Sequence, residues 1–510
     1  MIRREFLSTL AALALSPLSA RAQEAGEPGL QLGASEPFDP QSVVERARAM
    51  AAEEYQPRPQ IPESWVSLNY DQYRSIWFDS RNALWENTDT PQRVDVFPPG
   101  LYFPQAVALY SVEGGIAHEV KFDLGVFDRT DQFPEVEIDG TLGYSGLRLR
   151  AELEKPGVFQ EYAVFQGASY FRGIGTGEIY GLSARGLALD TGEADGEEFP
   201  DFVAFWIERP EPEATSVVLH ALLDSPSCTG AYRFDITPGD TLRMGISATI
   251  FARTELSRIG IAPLTSMFLF DETMRGRFSD FRPAVHDSDG LLIHTGFGEV
   301  LWRQLANPLT LQFSAFVDNN PRGFGLMQRP RKFSNYNDLE ALYHKRPSAW
   351  ITPQGDWGPG AVVLVEIPAD KEIYDNIVCF WRPAEPVPAG GELSLRYTLD
   401  WGDAPSPTGD QPLRAVHTAI GGHFGGGIVA AIDFETSALV PEDLSRIELS
   451  LRASKESLTH QAVQRNPETN GPRITFTFDP GEEDLIEFRA QLRLDGAALS
   501  EVWLYRWTKS

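Results

Sequence analysis

The chain has 510 residues and carries 44 Lys and Arg against 72 Asp and Glu, a formal charge of −28. That balance excludes an ordinary nucleic-acid partner, because a phosphate backbone calls for a basic face. With 42% hydrophobic residues and only two cysteines, the chain can fill large cores and more than one domain, but it is not a disulfide scaffold.

The N-terminus reads as an export signal. Arg3 and Arg4 precede an apolar run from Phe6 to Leu18, and Ala20-Arg21-Ala22 fits a small-x-small cleavage site. Residues 1–22 are therefore expected to be removed, leaving Gln23 first. The RREFL pattern resembles a twin-arginine signal; an ordinary secretory signal with an arginine pair is the alternative, and both lead out of the cytoplasm. No later apolar run approaches membrane-spanning length, so no transmembrane anchor is expected. Cys228 and Cys379 form either one disulfide or two buried thiols.

Residues 23–37 read as a leader. The clearest helix follows, SVVERARAMAAEEY, opening near Asp39-Pro40, with Val43, Ala47, Met50 and Ala51 on its apolar side. Pro57 and Pro59 end it. Strand patterns then dominate: 73–78, 107–112 and 117–122 around the Gly114-Gly115 turn, 146–151, 161–175, 202–208, 216–223, 231–236 and 241–251. Such a density of short strands predicts an all-β fold built on a large antiparallel sandwich. The glycines at 173, 175 and 177 lack the strand–turn–helix context of a phosphate cradle. His286 and His294 are too loosely spaced for a metal. Neither cofactor nor metal is expected.

Carboxylates gather between Met267 and Glu299: Asp271, Glu272, Asp280, Asp287, Asp289 and Glu299. Asp287 suits binding of sugar hydroxyls or steering of a water, or it closes an Asx turn before Gly290. His286 suits donation to a substrate oxygen or to local backbone. Trp302 reads as core between apolar neighbours. Arg322 steadies the acidic loops or is a solvated charge.

The segment YNDLEALYHKRPSAWITPQGDW, residues 336–357, concentrates acid, base and aromatic side chains. Leu339, Leu342 and Tyr343 predict one face of a short helix that Pro347 ends. The chain then extends through Trp350 and Ile351 and turns at Pro353-Gln354-Gly355, presenting Asp356 and Trp357. A carboxylate on a turn beside an indole suits gripping and protonating a sugar. Glu340, Tyr343, Arg346 and Trp357 are candidate substrate binders. The duller reading makes Arg346 a tie to Glu340 and the aromatics packing groups.

The stretches SYFRGIG at 169–175, YGLSARGLALDTG at 180–192 and LDSPSCTGAYRFDITPG at 223–239 resemble the periplasmic glucan biosynthesis family, G and D type. FRPAVHDSDGL at 281–291, YHKRPSAWITPQGDWGPG at 343–360, LVEIP at 364–368 and DNIVCFWRP at 375–383 extend the resemblance over nearly the whole mature chain. The resemblance implies a large N-terminal β-sandwich with a cleft and a smaller immunoglobulin-like β-sandwich. It implies a periplasmic location and endo-acting, inverting cleavage of β-1,2-linked glucan. The alternative is a non-catalytic glucan-binding protein that assists an inner-membrane glucan synthase. The general acid is implied at Asp356, with Asp287 the candidate second carboxylate and Asp289 beside it. Asp271 and Glu272 depart from the Gly- and Asn-rich character expected of that segment.

A domain boundary is expected in the Pro/Gly-rich stretch 383–391. The resulting division is 1–22 signal, 23–386 catalytic or glucan-binding sandwich, and 387–510 immunoglobulin-like sandwich. Six segments supply the last: 392–400, 425–434, 446–453, 473–478, 485–494 and 502–507.

Overall fold

A computed structural model describes residues 29–406, 412–455 and 458–509. The expected signal segment, with Arg3, Arg4 and the cleavage point, lies outside the described residues. The chain is all-β, its strands linked by turns and a few short helices. No helix among the described residues is long and apolar enough to cross a membrane. Cys228 and Cys379 are free, buried thiols. Contacts divide the chain into two compact units.

One unit comprises residues 29–263 with Arg382–Gly402. Its main sheet runs in the order Leu32–Pro37, Ile116–Val120, Ala108–Glu113, Asp201–Glu208, Val217–Asp224, Cys228–Thr237, Leu242–Ala252, Glu392–Gly402. All neighbours are antiparallel except Ala108–Glu113 beside Asp201–Glu208. A second sheet orders Ser183–Arg185, Tyr170–Gly173, Phe159–Gln166, Gly146–Glu152 and Gln92–Phe97. The expected helix is Pro40–Ala51. Asp39 caps it by accepting from the Gln41 amide, with Pro40 in the first turn. Val43 and Ala47 bury its apolar side in a cluster with Val112, Trp206, Leu222 and Phe251. Tyr73 and Arg74, expected in a strand, instead end a short helix, Tyr70–Arg74. Asn69 and Gln72 form a reciprocal capping box there, and the strand begins only at Ile76.

The other unit comprises Leu264–Trp381 with residues 403–509. One of its sheets orders Ser348–Gln354, Gly323–Met327, Gly290–His294, Val300–Gln304, Val502–Thr508, Leu485–Leu494 and Ile447–Ala453. Within it, Leu301–Arg303 run parallel to Val502–Leu504. A four-stranded sheet orders Ala415–Gly422, Ile428–Phe434, Pro472–Phe478 and Leu458–Arg465. The third orders Gln312–Asn319, Pro359–Glu366 and Ile377–Pro383. One apolar core joins Trp302, Met327 and Trp350 to Phe434, Phe476 and Trp503. Compactness therefore divides the chain elsewhere than at residue 387. Glu392–Gly402 pairs along its length with Leu242–Ala252, and residues beyond 403 share a core with 290–350. Trp302 is core, as its apolar neighbours predict.

Arg303 and Glu366, both almost fully buried, are ion-paired at 2.9 Å and tie two sheets of this unit; Glu366 also accepts from the Ala306 amide. Losing one partner of such a pair leaves an uncompensated charge. Arg303→Met is expected to lower unfolding free energy by about 3–5 kcal/mol in urea titrations. The double variant Arg303→Met/Glu366→Leu, which strands no charge, is expected to regain a clear part of that loss.

Candidate functional site

The helix expected across 339–346 does not form. Asp338 Oδ1 accepts from the amides of Glu340 and Ala341, at 2.8 and 2.7 Å, taking the donors that a helical turn would use. Asn337 and Leu342 have positive φ, so the segment winds as an irregular loop with a single 3-10 turn at Tyr343–Lys345. Leu339 is left exposed. Pro347 does end the turn, and Ser348–Gln354 is extended as expected.

That strand divides the expected site residues into two groups. Past its C-terminal end, Gly355 and Gly358 hold φ of +85° and +67°, which a side chain rarely tolerates, and between them sits Asp356. Asn320 Oδ1 accepts from the amides of Trp357 and Gly358 at 2.7 and 2.8 Å, pinning this turn to the one before Gly323. Asp356 is exposed, and its Oδ1 accepts from the Gly358 amide at 2.9 Å. The Trp357 ring lies 6.3 Å from that of Trp381. Arg322, also exposed, belongs to this end, where its amide donates to the His294 carbonyl.

The strand's N-terminal end holds the rest. Arg346 is buried and ion-paired with buried Asp287, not with Glu340. Its guanidinium lies 4.4 Å from the Tyr343 ring centroid. Tyr343 is buried and donates its hydroxyl to Glu372 at 2.9 Å, so its ring packs against Arg346 instead of presenting a free face to a sugar. Glu340 is exposed. Gln328 joins the strand to the acidic loop: its amide donates to Ser348 Oγ, and its Nε2 to the His286 carbonyl. Asp287 and Asp356 thus lie at opposite ends of a seven-residue strand, separated by about 20 Å of extended chain. Asp287, expected as a water-activating carboxylate beside Asp356, is a buried tie instead.

At this N-terminal end, a cavity of about 360 Å³ is lined by His286, Asp289, Asp271, Glu272, Arg329 and His417, among others. Burial pushes Asp271 up to about 7, with Thr273 opposing and the Glu272 charge reinforcing. Burial likewise raises Asp289 to about 6, against the Arg329 amide and guanidinium. Burial raises Glu272, but the hydrogen bond and charge of His417, together with its own backbone amide, pull it below the usual range. His417 itself rises to about 9 between Asp433, 3.5 Å away, and Glu272, 3.8 Å away. Arg329 lies over Trp302 at 3.4 Å and pairs with Glu501. Asp271, Glu272, Arg329 and His417 escaped the list of expected site residues. The first two are visible as acids in the sequence, but nothing local brings His417 to them from over a hundred residues away. Among the described residues, no cluster of His, Cys, Asp and Glu has the arrangement of a metal site.

Residues 38–507 match the family described as periplasmic glucan biosynthesis protein, MdoG. The chain is 46% identical over 480 residues to glucans biosynthesis protein G of Vibrio cholerae serotype O1, covering 92% of this chain and 87% of that one. It is 43% identical over 505 residues to the protein of the same name from Shewanella sp. strain MR-7, covering 97% and 91%.

The His417 shift generates a test. Its folded-state pKa is raised from 6.5, so the stabilisation is fully present below about pH 6.5 and is lost as pH rises through about 9. The melting-temperature advantage of the native chain over His417→Gln is expected to be largest near pH 6 and to disappear above pH 9.5.

Proposed function

The chain belongs to the periplasmic glucan biosynthesis family, and from that premise we propose that it acts on β-1,2-linked glucan in the periplasm as an endo-acting, inverting glycoside hydrolase, with Asp356 the general acid. The observation that carries this reading is the Asp356 turn. A group that protonates a glycosidic oxygen must be reachable by a polymer and held still. Asp356 is exposed, and its turn is fixed by two hydrogen bonds that the Trp357 and Gly358 amides donate to Asn320 Oδ1. Trp357, half-buried beside it, offers an indole for a pyranose ring. In this reading export follows the twin-arginine-like leader, and glucan is cut during its maturation.

One observation favours a second reading, a glucan-binding protein that assists synthesis or transfer without cleaving. An inverting pair stands about 6.5–9.5 Å apart, whereas about 20 Å of strand separates Asp356 from Asp287. The hydrolase reading therefore needs a water-activating group other than Asp287 acting directly.

The deciding experiment incubates purified protein with linear β-1,2-glucan and resolves product lengths and anomeric form. Cleavage with inversion is expected, and Asp356→Asn is expected to lower it roughly a hundredfold or more while the fold and glucan binding persist. The variant keeps the oxygen that accepts from Gly358, so its turn should stay intact. Full activity in folded Asp356→Asn would remove Asp356 as the acid. Binding without cleavage by the native chain would leave the second reading.

A further inference from the structure

A strand at the edge of a sheet presents a row of unpaired amides and carbonyls, and soluble proteins blunt such edges with bulges, charged side chains, proline or burial. Among the described residues, the three larger sheets follow that rule at every end but one. Leu32–Pro37 carries a register shift between Leu32 and Ser35, an exposed Glu36 and a closing proline. Gln92–Phe97 is buried along its length. Ala415–Gly422 shifts register between Ala415 and His417, and Leu458–Arg465 between Thr459 and Ala462. Ile447–Ala453 exposes Glu448 and Arg452.

Gln312–Asn319 is the exception. It ends its sheet, runs for eight residues and pairs with Pro359–Glu366 in unbroken register. It contains no Lys, Arg or Pro. Its one acid, Asp318, is buried and turned inward, accepting from the Gly296 amide at 2.9 Å. Its outward side chains are apolar. Phe313, Ala315 and Val317 alternate on one exposed face, with Val317 83% exposed, and exposed Leu309 and Leu311 continue the same spacing. Arg506 covers only the start of the strand, where it donates to the Phe313 carbonyl at 2.9 Å.

Charge and symmetry point to what covers this edge. With a net charge of −28, copies of this chain repel one another over most of their surface. From Gln304 to Val317 the sequence has no charged side chain, so two copies meet there without setting like charges opposite each other. An antiparallel strand pair also satisfies a two-fold axis, with the same residues on both sides. Phe313 and Val317 stand symmetrically about Ala315. An axis at Ala315 therefore sets Phe313 of one copy opposite Val317 of the other, an aromatic and β-branched pair, twice over.

We propose that Gln312–Asn319 is a self-association edge, at which two copies of this chain join antiparallel about Ala315 and continue the sheet from one molecule into the next. The proposal does not rest on the hydrolase reading. Asn320, which holds the Asp356 turn, follows the strand directly, so the two turns lie at opposite ends of the joined pair.

One strand pair is a narrow interface at the weak end of the size classes, so a dissociation constant on the order of 10 μM is expected. Sedimentation velocity of the purified chain, from well below to well above that concentration, is expected to show a monomer giving way to a dimer. Val317→Lys and Ala315→Lys alter exposed side chains, so one reports even if the other perturbs folding. Each also lowers the net negative charge, so weaker association reads the edge and not general repulsion. Each is expected to weaken the dimer at least tenfold with the melting temperature unchanged. Ala315→Cys is expected to be joined into a covalent dimer by a short bis-maleimide, because Cys228 and Cys379 are buried. A monomer at every concentration, a dimer that both lysine variants leave unchanged, or a dimer in which Ala315→Cys does not cross-link overturns the proposal.

Discussion

An extended strand cannot fold back on itself, and much of this chain's functional arrangement follows from that constraint at Ser348–Gln354. The strand is fixed on one side by Gly323–Met327, with Gly325 opposite Trp350 and Leu326 opposite Ala349. Its two ends therefore have separate fates. One end is stitched through Gln328 and Arg346 to the acidic loop of His286, Asp287 and Asp289. The other is stitched through Asn320 to the turn that carries Asp356. Residues that are neighbours in the sequence, from Tyr343 to Trp357, are thereby delivered to two places.

The N-terminal end shows how burial sorts charged groups. Arg346 and Asp287 are both withdrawn from water and survive there by pairing. Arg303 and Glu366 do the same between sheets. Asp289 and Asp271 lack a full counter-charge, and burial raises both. Glu272 sits within reach of His417 and moves the opposite way. Neighbouring carboxyls with pKa values pushed apart are the usual signature of a working site, although ion-pair networks produce it as well.

The strands were legible because alternation survives in them. Gly146–Glu152 and the turn at Gly114-Gly115 appear where the periodicity puts them. The helix at Pro40–Ala51 was legible from its Asp-Pro start and its apolar side. Two local readings failed for the same physical reason, side chains competing for backbone amides. Asp338 dismantled an apparent helix, and Asn69 with Gln72 built one inside an apparent strand. The site was legible only in part. Asp356 and Trp357 read correctly as a glycine-flanked turn. Tyr343 and Arg346 looked like substrate groups because aromatic and basic side chains serve packing and recognition equally well. Only the burial of both, with Asp287 against Arg346, tells the two roles apart. His417 and Arg329 carried no signal, since their neighbours come from strands far away in sequence.

Under the proposed hydrolase reading, the two ends of Ser348–Gln354 also bear on the size of a ligand. A single sugar unit reaches one end or the other. Anything that engages both must be long enough to follow about 20 Å of strand, which means a polymer of several glycosyl units. Affinity at such a pair of sites is not a sum of two independent contacts, because holding one end raises the effective concentration of the other. Under the proposed reading, a polymer held near the N-terminal end of the strand would be presented to the Asp356 turn, or past it, without either end needing to bind tightly alone. Remote binding energy of this kind is used best when it positions the reacting bond. The length of strand between Arg346, which holds Asp287, and Asp356 is thus compatible with one end that holds a polymer and another that acts on it.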